Sequence, residues 1–220
     1  MFTLCVIMSF TESYAQTFAI KTGVNLSKEL FKIDYGILSK DYKVTPRFQL
    51  GVTAEFPLTK LFSFEPGLFF SSKGYKSHLV MQNDIIFDIY KNEILNYIEI
   101  PLTAKATTFI GRFPVYVTFG PYIGIALNGK IIVNEFSDNK TTRNEYNYSM
   151  DSGGYMKRMD YGLQAGIGIE IHQFLVGLNY DHGISKINQQ SEFKCKNRVL
   201  GVTVGYKFNR KKEPLDSTRL

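Results

Sequence analysis

Bulky apolar residues recur at every second position over long stretches of the chain. In "GIGIEIHQFLVGLNYDHG", residues 166–183, Ile167, Ile169 and Ile171 alternate with Gly166, Gly168 and Glu170. After His172 and Gln173 the pattern resumes: Phe174, Val176, Leu178 and Tyr180 share one face, and Leu175, Gly177, Asn179 and Asp181 the other. Side chains on a strand change face at each residue, so this stretch predicts two strands joined by a tight turn. The same period runs through "TFAIKTGVNL", "RFQLGVTAEF", "LFSFEPGLFFS", "NYIEIPLTAKA", "PVYVTFGPYIGIAL" and "RVLGVTVGYKF". That gives eight strands, most of them near the ~9–11 residues that a tilted membrane-crossing strand needs.

No convincing helical period lies between these strands, which disfavours parallel βαβ units and makes an antiparallel meander the simplest topology. The connections alternate in length. Residues 57–60, 108–112 and 172–173 are short, whereas 27–46, 74–93, 128–160 and 182–197 are long. In an up-and-down meander, all short turns then fall at one end and all long loops at the other. Outer-membrane barrels have this asymmetry. The predicted fold class is therefore all-β, an eight-stranded antiparallel up-and-down transmembrane β-barrel.

Alternation alone does not say which face points outward, because a soluble lipocalin-like ligand-binding barrel alternates too, with its apolar face inward. Three features favour lipid outside. The Phe, Ile, Leu and Val of the bulky face would crowd an eight-stranded interior, which has room only for filling side chains or one small ligand. The other face is rich in Gly, where a water-facing wall would carry Lys and Glu. Aromatics lie near strand ends, among them Phe18, Phe48, Phe56, Phe62, Phe113, Phe174, Tyr180, Tyr206 and Phe208, as in interfacial girdles. With this facing, Lys21, Glu55, Glu65, Glu99, Lys105, Glu170 and Lys207 point inward. Unpaired buried charge is costly, so these residues are expected to pair into a polar plug that leaves no open pore.

Composition adds limits. The 220 residues include 18 Phe, 14 Tyr and 18 Gly with no Trp, a mixture suited to strands and turns. The mean hydropathy of -0.12 would suggest a water-soluble chain, but barrel strands are only half apolar. The net charge of +6 is spread out, apart from Arg210, Lys211 and Lys212, so a nucleic-acid footprint is missing. The apolar run "MFTLCVIMSF" ends in "TESYAQ", where Ser13-Tyr14-Ala15 fits a signal-peptide cleavage site before Gln16, although a positive n-region is lacking. The expected division is a signal peptide at 1–15, a barrel at 16–208 and a polar periplasmic tail at 209–220. Cleavage would leave Cys195 as the single cysteine, with no internal disulfide.

The segments "TFAIKTGVNLS", "LNYIEIPLTAKA", "LVGLNYDHGISKI" and the terminal "VGYKF" resemble the PorT-like outer-membrane β-barrel domain family of Gram-negative bacteria. The resemblance spans nearly all of 16–208. It implies an eight-stranded barrel exported through the general secretory route and inserted by the outer-membrane assembly machinery, with long loops external and termini periplasmic. The final strand "VTVGYKF" resembles the insertion signal, yet here "NRKKEPLDSTRL" follows it. PorT itself is associated with a protein-secretion system, so an accessory subunit of such an envelope complex is one implied role.

The histidines that could carry catalytic chemistry are three, His78, His172 and His182. His78 falls in a long loop, His172 in a short turn and His182 just past a strand. His182 with Ser185 is the best pair for a rim-active lipid A-modifying or other lipid enzyme, the alternative to a non-enzymatic barrel, but no third group supports it. No catalytic residue, cofactor or metal site is expected: zinc spacing and a phosphate-cradling turn are absent, and "DNKTTRNEYNYSMDSGG" lacks EF-hand spacing. The expected partners are outer-membrane lipid, the insertion machinery and an envelope or secretion complex. Asp138, Arg143, Tyr146 and Tyr148, in the longest connection, are the candidate partner contacts, since amphipathic tyrosines suit recognition. A solvated loop, or an extension of the flanking strands, is the plain alternative for that segment.

Overall fold

The computed structural model describes residues 16–33, 36–37, 42–82, 86–137, 140–148, 156–188 and 193–208. The expected signal peptide, the polar tail and Asp138 lie outside them. The wall is built from β1 (Thr17–Ile33), β4 (Thr45–Pro57), β5 (Phe62–Lys73), β7 (Ile86–Ile110), β8 (Phe113–Ser137), β10 (Met159–Ile171), β11 (Phe174–Gly183) and β12 (Phe193–Phe208). Each pairs antiparallel with its neighbours in chain order, and β12 returns to β1, with Phe18 opposite Phe208 and Val24 opposite Val202. Eight strands thus close a ring, which removes every unpaired edge from the lipid-facing wall.

All seven stretches put their faces where the alternation predicts. Phe18, Ile20, Val24, Phe48, Val52, Leu68, Ile100, Val117, Ile167, Val176 and Val202 are exposed on the outside. A water-soluble monomer rarely exposes so continuous an apolar surface, and lipid is the solvent that fits it. The lipocalin-like alternative is thereby set aside. On β1, β11 and β12 the unbroken apolar outer face runs as far as Leu26, Tyr180 and Leu200, where Lys28, His182 and Arg198 interrupt it.

The short turns have local causes. The Thr59 hydroxyl accepts the Phe62 amide at 2.9 Å, and the Leu58 and Thr59 amides donate to the Phe62 carbonyl, closing the β4–β5 turn. Gly111 (φ 62°) and His172 (φ 57°) take the left-handed conformation that the two other tight turns need.

The expectation of loops at the opposite end is corrected. β7 and β8 run 25 residues each and rise past the apolar belt as a paired ribbon. This is flanked on one side by β6 (Lys76–Gln82) and β3 (Tyr42–Lys43), and on the other by β9 (Lys140–Asn147). A two-residue strand, β2 (Gly36–Ile37), pairs with the end of β1. Beyond the belt neither face meets lipid, so alternation is lost from the sequence while the backbone still pairs. His78 accordingly sits on β6, and His182 lies within β11.

Candidate functional site

The chemistry of this molecule is concentrated in its interior, in three tiers. The tier nearest the short turns centres on Lys105, whose side chain is 1% exposed. Its Nζ lies 2.9 Å from Glu55 Oε2, 2.9 Å from Glu170 Oε1 and 3.6 Å from Glu65 Oε2. Lys21 bonds Glu65 at 2.6 Å, and Lys207 bonds Glu170 at 2.9 Å and Glu55 at 3.2 Å. Ser63 donates to the other Glu55 oxygen at 2.9 Å. Three ammonium groups thus meet three carboxylates in a neutral cluster, the arrangement that makes buried charge tolerable. Tyr116 lies beneath, its ring centroid 4.7 Å from Lys105 Nζ.

The recurrent inner-face glycines explain how Tyr116 fits. A Cβ on Gly168 would collide with the Tyr116 ring, and one on Gly177 would sit 2.7 Å from its hydroxyl. The glycines of β10 and β11 are hollows for an aromatic that crosses the lumen.

The seventh inward charge, Glu99, does not join this cluster. It pairs with Lys73, a residue the strand pattern did not single out, in the middle tier. Lys73 also lies 3.1 Å from Asp160 Oδ2 and stacks over Tyr122 and Tyr97. Asp160 accepts the Ser185 hydroxyl at 2.7 Å and the Asn197 amide at 2.8 Å. Asp181 accepts Gln164 at 2.8 Å. The signal for Lys73 and Asp160 was their inward parity on β5 and β10, one step beyond the stretches where the outer face is continuously apolar. Between the two tiers lies a cavity of about 60 Å³, lined by Gln49, Thr103, Thr118, Gln164, Asn179 and Thr203 among others. That volume holds only a few waters.

The third tier closes the end with the long strands, and its Glu29, Glu93 and Cys195 lie beyond the lipid-facing segments. Leu95, Tyr97, Ala126, Met156, Ile187 and Cys195 form an apolar lid, with Tyr148 packed on it. The Tyr148 hydroxyl donates to Glu93 Oε2 at 2.6 Å, and Cys195 Sγ lies 2.7 Å from Glu29 Oε2. Burial, reinforced by the neighbouring Glu93, pushes the Glu29 carboxyl well above the usual range, and burial likewise raises Glu93. Burial and then Glu29 push the Cys195 thiol up, which makes it an inert thiol.

The other candidate residues are dispersed. Arg143 and Tyr146 are exposed on β9, whose register carries Arg143 opposite Asn134 and Tyr146 opposite Ile131. Tyr148, the next candidate contact, is half-buried: it packs on the lid and its hydroxyl bonds Glu93. His182 and Ser185 have separate partners. His182 faces outward and receives Arg198 Nη2 at 3.0 Å, whereas Ser185 is buried on Asp160. Among the described residues, no group of three or more His, Cys, Asp or Glu is arranged to hold a metal ion.

Comparison with known proteins agrees with this architecture. The profile of the family described as outer membrane protein beta-barrel domain matches residues 14–189. Among solved structures, the chain is similar to Ail, the attachment invasion locus protein of Yersinia pestis, with 16% identity over 88% of this chain and 99% of that one, TM-score 0.37. It is similar to Neisserial surface protein A at 13% identity, covering 87% and 97% with TM-score 0.40. It is similar to the outer membrane protease OmpT of Escherichia coli at 9% identity, covering 88% and 96% with TM-score 0.33. No curated protein matches the chain. The structural superpositions are loose, and the assignment rests on the family match together with the closed, lipid-compatible ring. The chain belongs to the outer membrane protein beta-barrel domain family.

Proposed function

We propose that this barrel is a non-enzymatic accessory subunit of the cell envelope that binds a protein partner through its protruding sheet, in keeping with its resemblance to the PorT-like family, of which PorT itself is associated with a secretion system. The observation that carries the reading is the five-stranded extension β3-β6-β7-β8-β9, which lines neither lipid nor lumen. Its outer strand β9 pairs on one side with β8 and, among the described residues, leaves a backbone edge on the other, a template for an added strand or a packed partner. The packed tiers argue against transport, because among the described residues they leave no continuous lumen. The separate partners of His182 and Ser185 remove the one dyad the sequence offers, which favours binding over lipid chemistry. In this reading the sheet is external, the termini are periplasmic, and insertion uses the outer-membrane assembly machinery.

The test replaces residues 140–147 with a Gly/Ser linker and keeps Tyr148 to preserve the lid. The shortened barrel is expected to retain heat-modifiable gel migration and to lose the protein that co-purifies with the intact chain in mild detergent. Retention of that protein by the folded, shortened barrel rejects the sheet as the contact. Lipid A profiles with and without the protein are expected to be identical; a change in acylation would reassign the barrel as an enzyme.

A further inference from the structure

A row of basic side chains crosses three neighbouring strands on the outer wall. In the β11–β12–β1 ladder, His182 lies opposite Arg198, and Arg198 lies opposite Lys28. Lys196 is two residues further along β12 on the same face. Arg198 and Lys28 are like charges set directly opposite one another, which destabilises a sheet, and among the described residues of these strands no carboxylate on this face offsets them. Among the described residues of the three strands, the carboxylates are Glu29 and Asp181, both turned inward and buried. Lys28 and Lys196 have no ion pair among the described residues.

Arg198 is held ready. Its Nη1 donates to the Gly183 and Asn197 carbonyls at 2.6 and 2.7 Å, and its Nη2 donates to His182 Nε2 at 3.0 Å. These acceptors are all neutral, so the guanidinium charge is unanswered, and its Nε–H and one Nη2–H have no acceptor in these bonds. Because Arg198 can only donate, His182 accepts through Nε2 and its Nδ1 carries the proton.

The depth of the row identifies what faces it. Leu26, Leu200 and Tyr180 form the last lipid-facing row, and Tyr180 packs edge-on near His182 at 6.2 Å. At ~3.3 Å per residue and a tilt of ~40°, Lys28 and Arg198 stand about 5 Å beyond that row and Lys196 about 10 Å. The polar zone of a bilayer is about 5–8 Å thick on each side. Lys28 and Arg198 therefore lie at headgroup level, with an amphipathic tyrosine just below them and Lys196 just beyond, its long side chain able to reach back.

We propose that Lys28, Lys196 and Arg198, with the Nδ1–H of His182, form a binding site for the phosphate of a membrane-lipid headgroup on the side of the long strands. A phosphate oxygen accepts from the fixed Arg198 fork while the two lysines close on it from either side. The acyl chains of the same lipid then lie along the apolar wall of Val24, Val202 and Leu178 beneath. The site does not depend on the partner-binding role.

The full chain, reconstituted in nanodiscs of phosphatidylcholine doped with phosphatidic acid, tests this. Both leaflets of a nanodisc are accessible, so the outcome does not depend on orientation in the cell. Native mass spectrometry after gentle extraction reads the retained phosphatidic acid. The intact chain is expected to retain it, and to retain diacylglycerol, which lacks the phosphate, far less. Lys28→Gln with Lys196→Gln leaves the backbone bonds of Arg198 intact and is expected to weaken retention about fivefold for each charge removed. Adding Arg198→Gln is expected to weaken it by a similar further factor, with heat-modifiable migration confirming the fold. Lys60→Gln with Arg112→Gln, at the opposite rim, is expected to change nothing. Equal retention of diacylglycerol, undiminished retention by the Lys28/Lys196 variant, or an equal loss in the Lys60/Arg112 variant overturns the proposal.

Discussion

Lys105 shows how one residue organises the interior. Its ammonium touches three carboxylates from three strands, Glu55 on β4, Glu65 on β5 and Glu170 on β10. Removing one partner of a buried ionic cluster leaves the others uncompensated and costs about 3–5 kcal/mol. Lys105→Met is therefore expected to destabilise the barrel by about that amount, read from urea unfolding in lipid vesicles. Adding Glu170→Gln in the same background should recover part of the loss, because it removes one of the stranded charges. A purely additive loss would mean that the carboxylates are neutralised without Lys105. The inward parity of Lys105 was plain in "YIEIPLTAKA", but its choice of partners was not.

At the level of the strand, depth governs the cost of a charge. Val202 sits in the middle of the outer wall on β12, between Val24 and Leu178 on the neighbouring strands. Leu127 marks the end of the apolar outer face on β8, followed by Asn128. Val202→Arg is expected to cost about 2–4 kcal/mol and Leu127→Arg about 0–1 kcal/mol, since arginine near the interface reaches water. The comparison is made by unfolding both variants in the same vesicles. Equal costs would place the lipid boundary elsewhere along the strands. The same boundary explains why β7 and β8 were underestimated in length: strands were legible only as far as lipid imposes a two-residue period.

For the whole molecule, closure follows from the stacked tiers. Two ionic layers, a cavity of about 60 Å³ and an apolar lid occupy the axis in succession. The intact barrel in planar bilayers is expected to pass no steady ionic current. A stable open-channel conductance would show that the lid and ion pairs yield in the membrane. The protruding sheet and the basic row then divide the remaining surface between protein and lipid recognition.

The sequence by itself determined the fold class and the facing of every wall strand, because the pleat of an extended backbone makes side chains alternate and only lipid outside accommodates so bulky an outer face. It also placed seven charges inside. Only the tertiary structure decided that six of them form one neutral cluster while Glu99 turns to Lys73. It alone decided that Tyr148 seals the lid and that Lys28, Arg198 and His182 stand in one row. The reason is the register. Which residues of distant strands meet depends on the stagger with which the ring closes, a property of all eight strands together that no single stretch of sequence encodes.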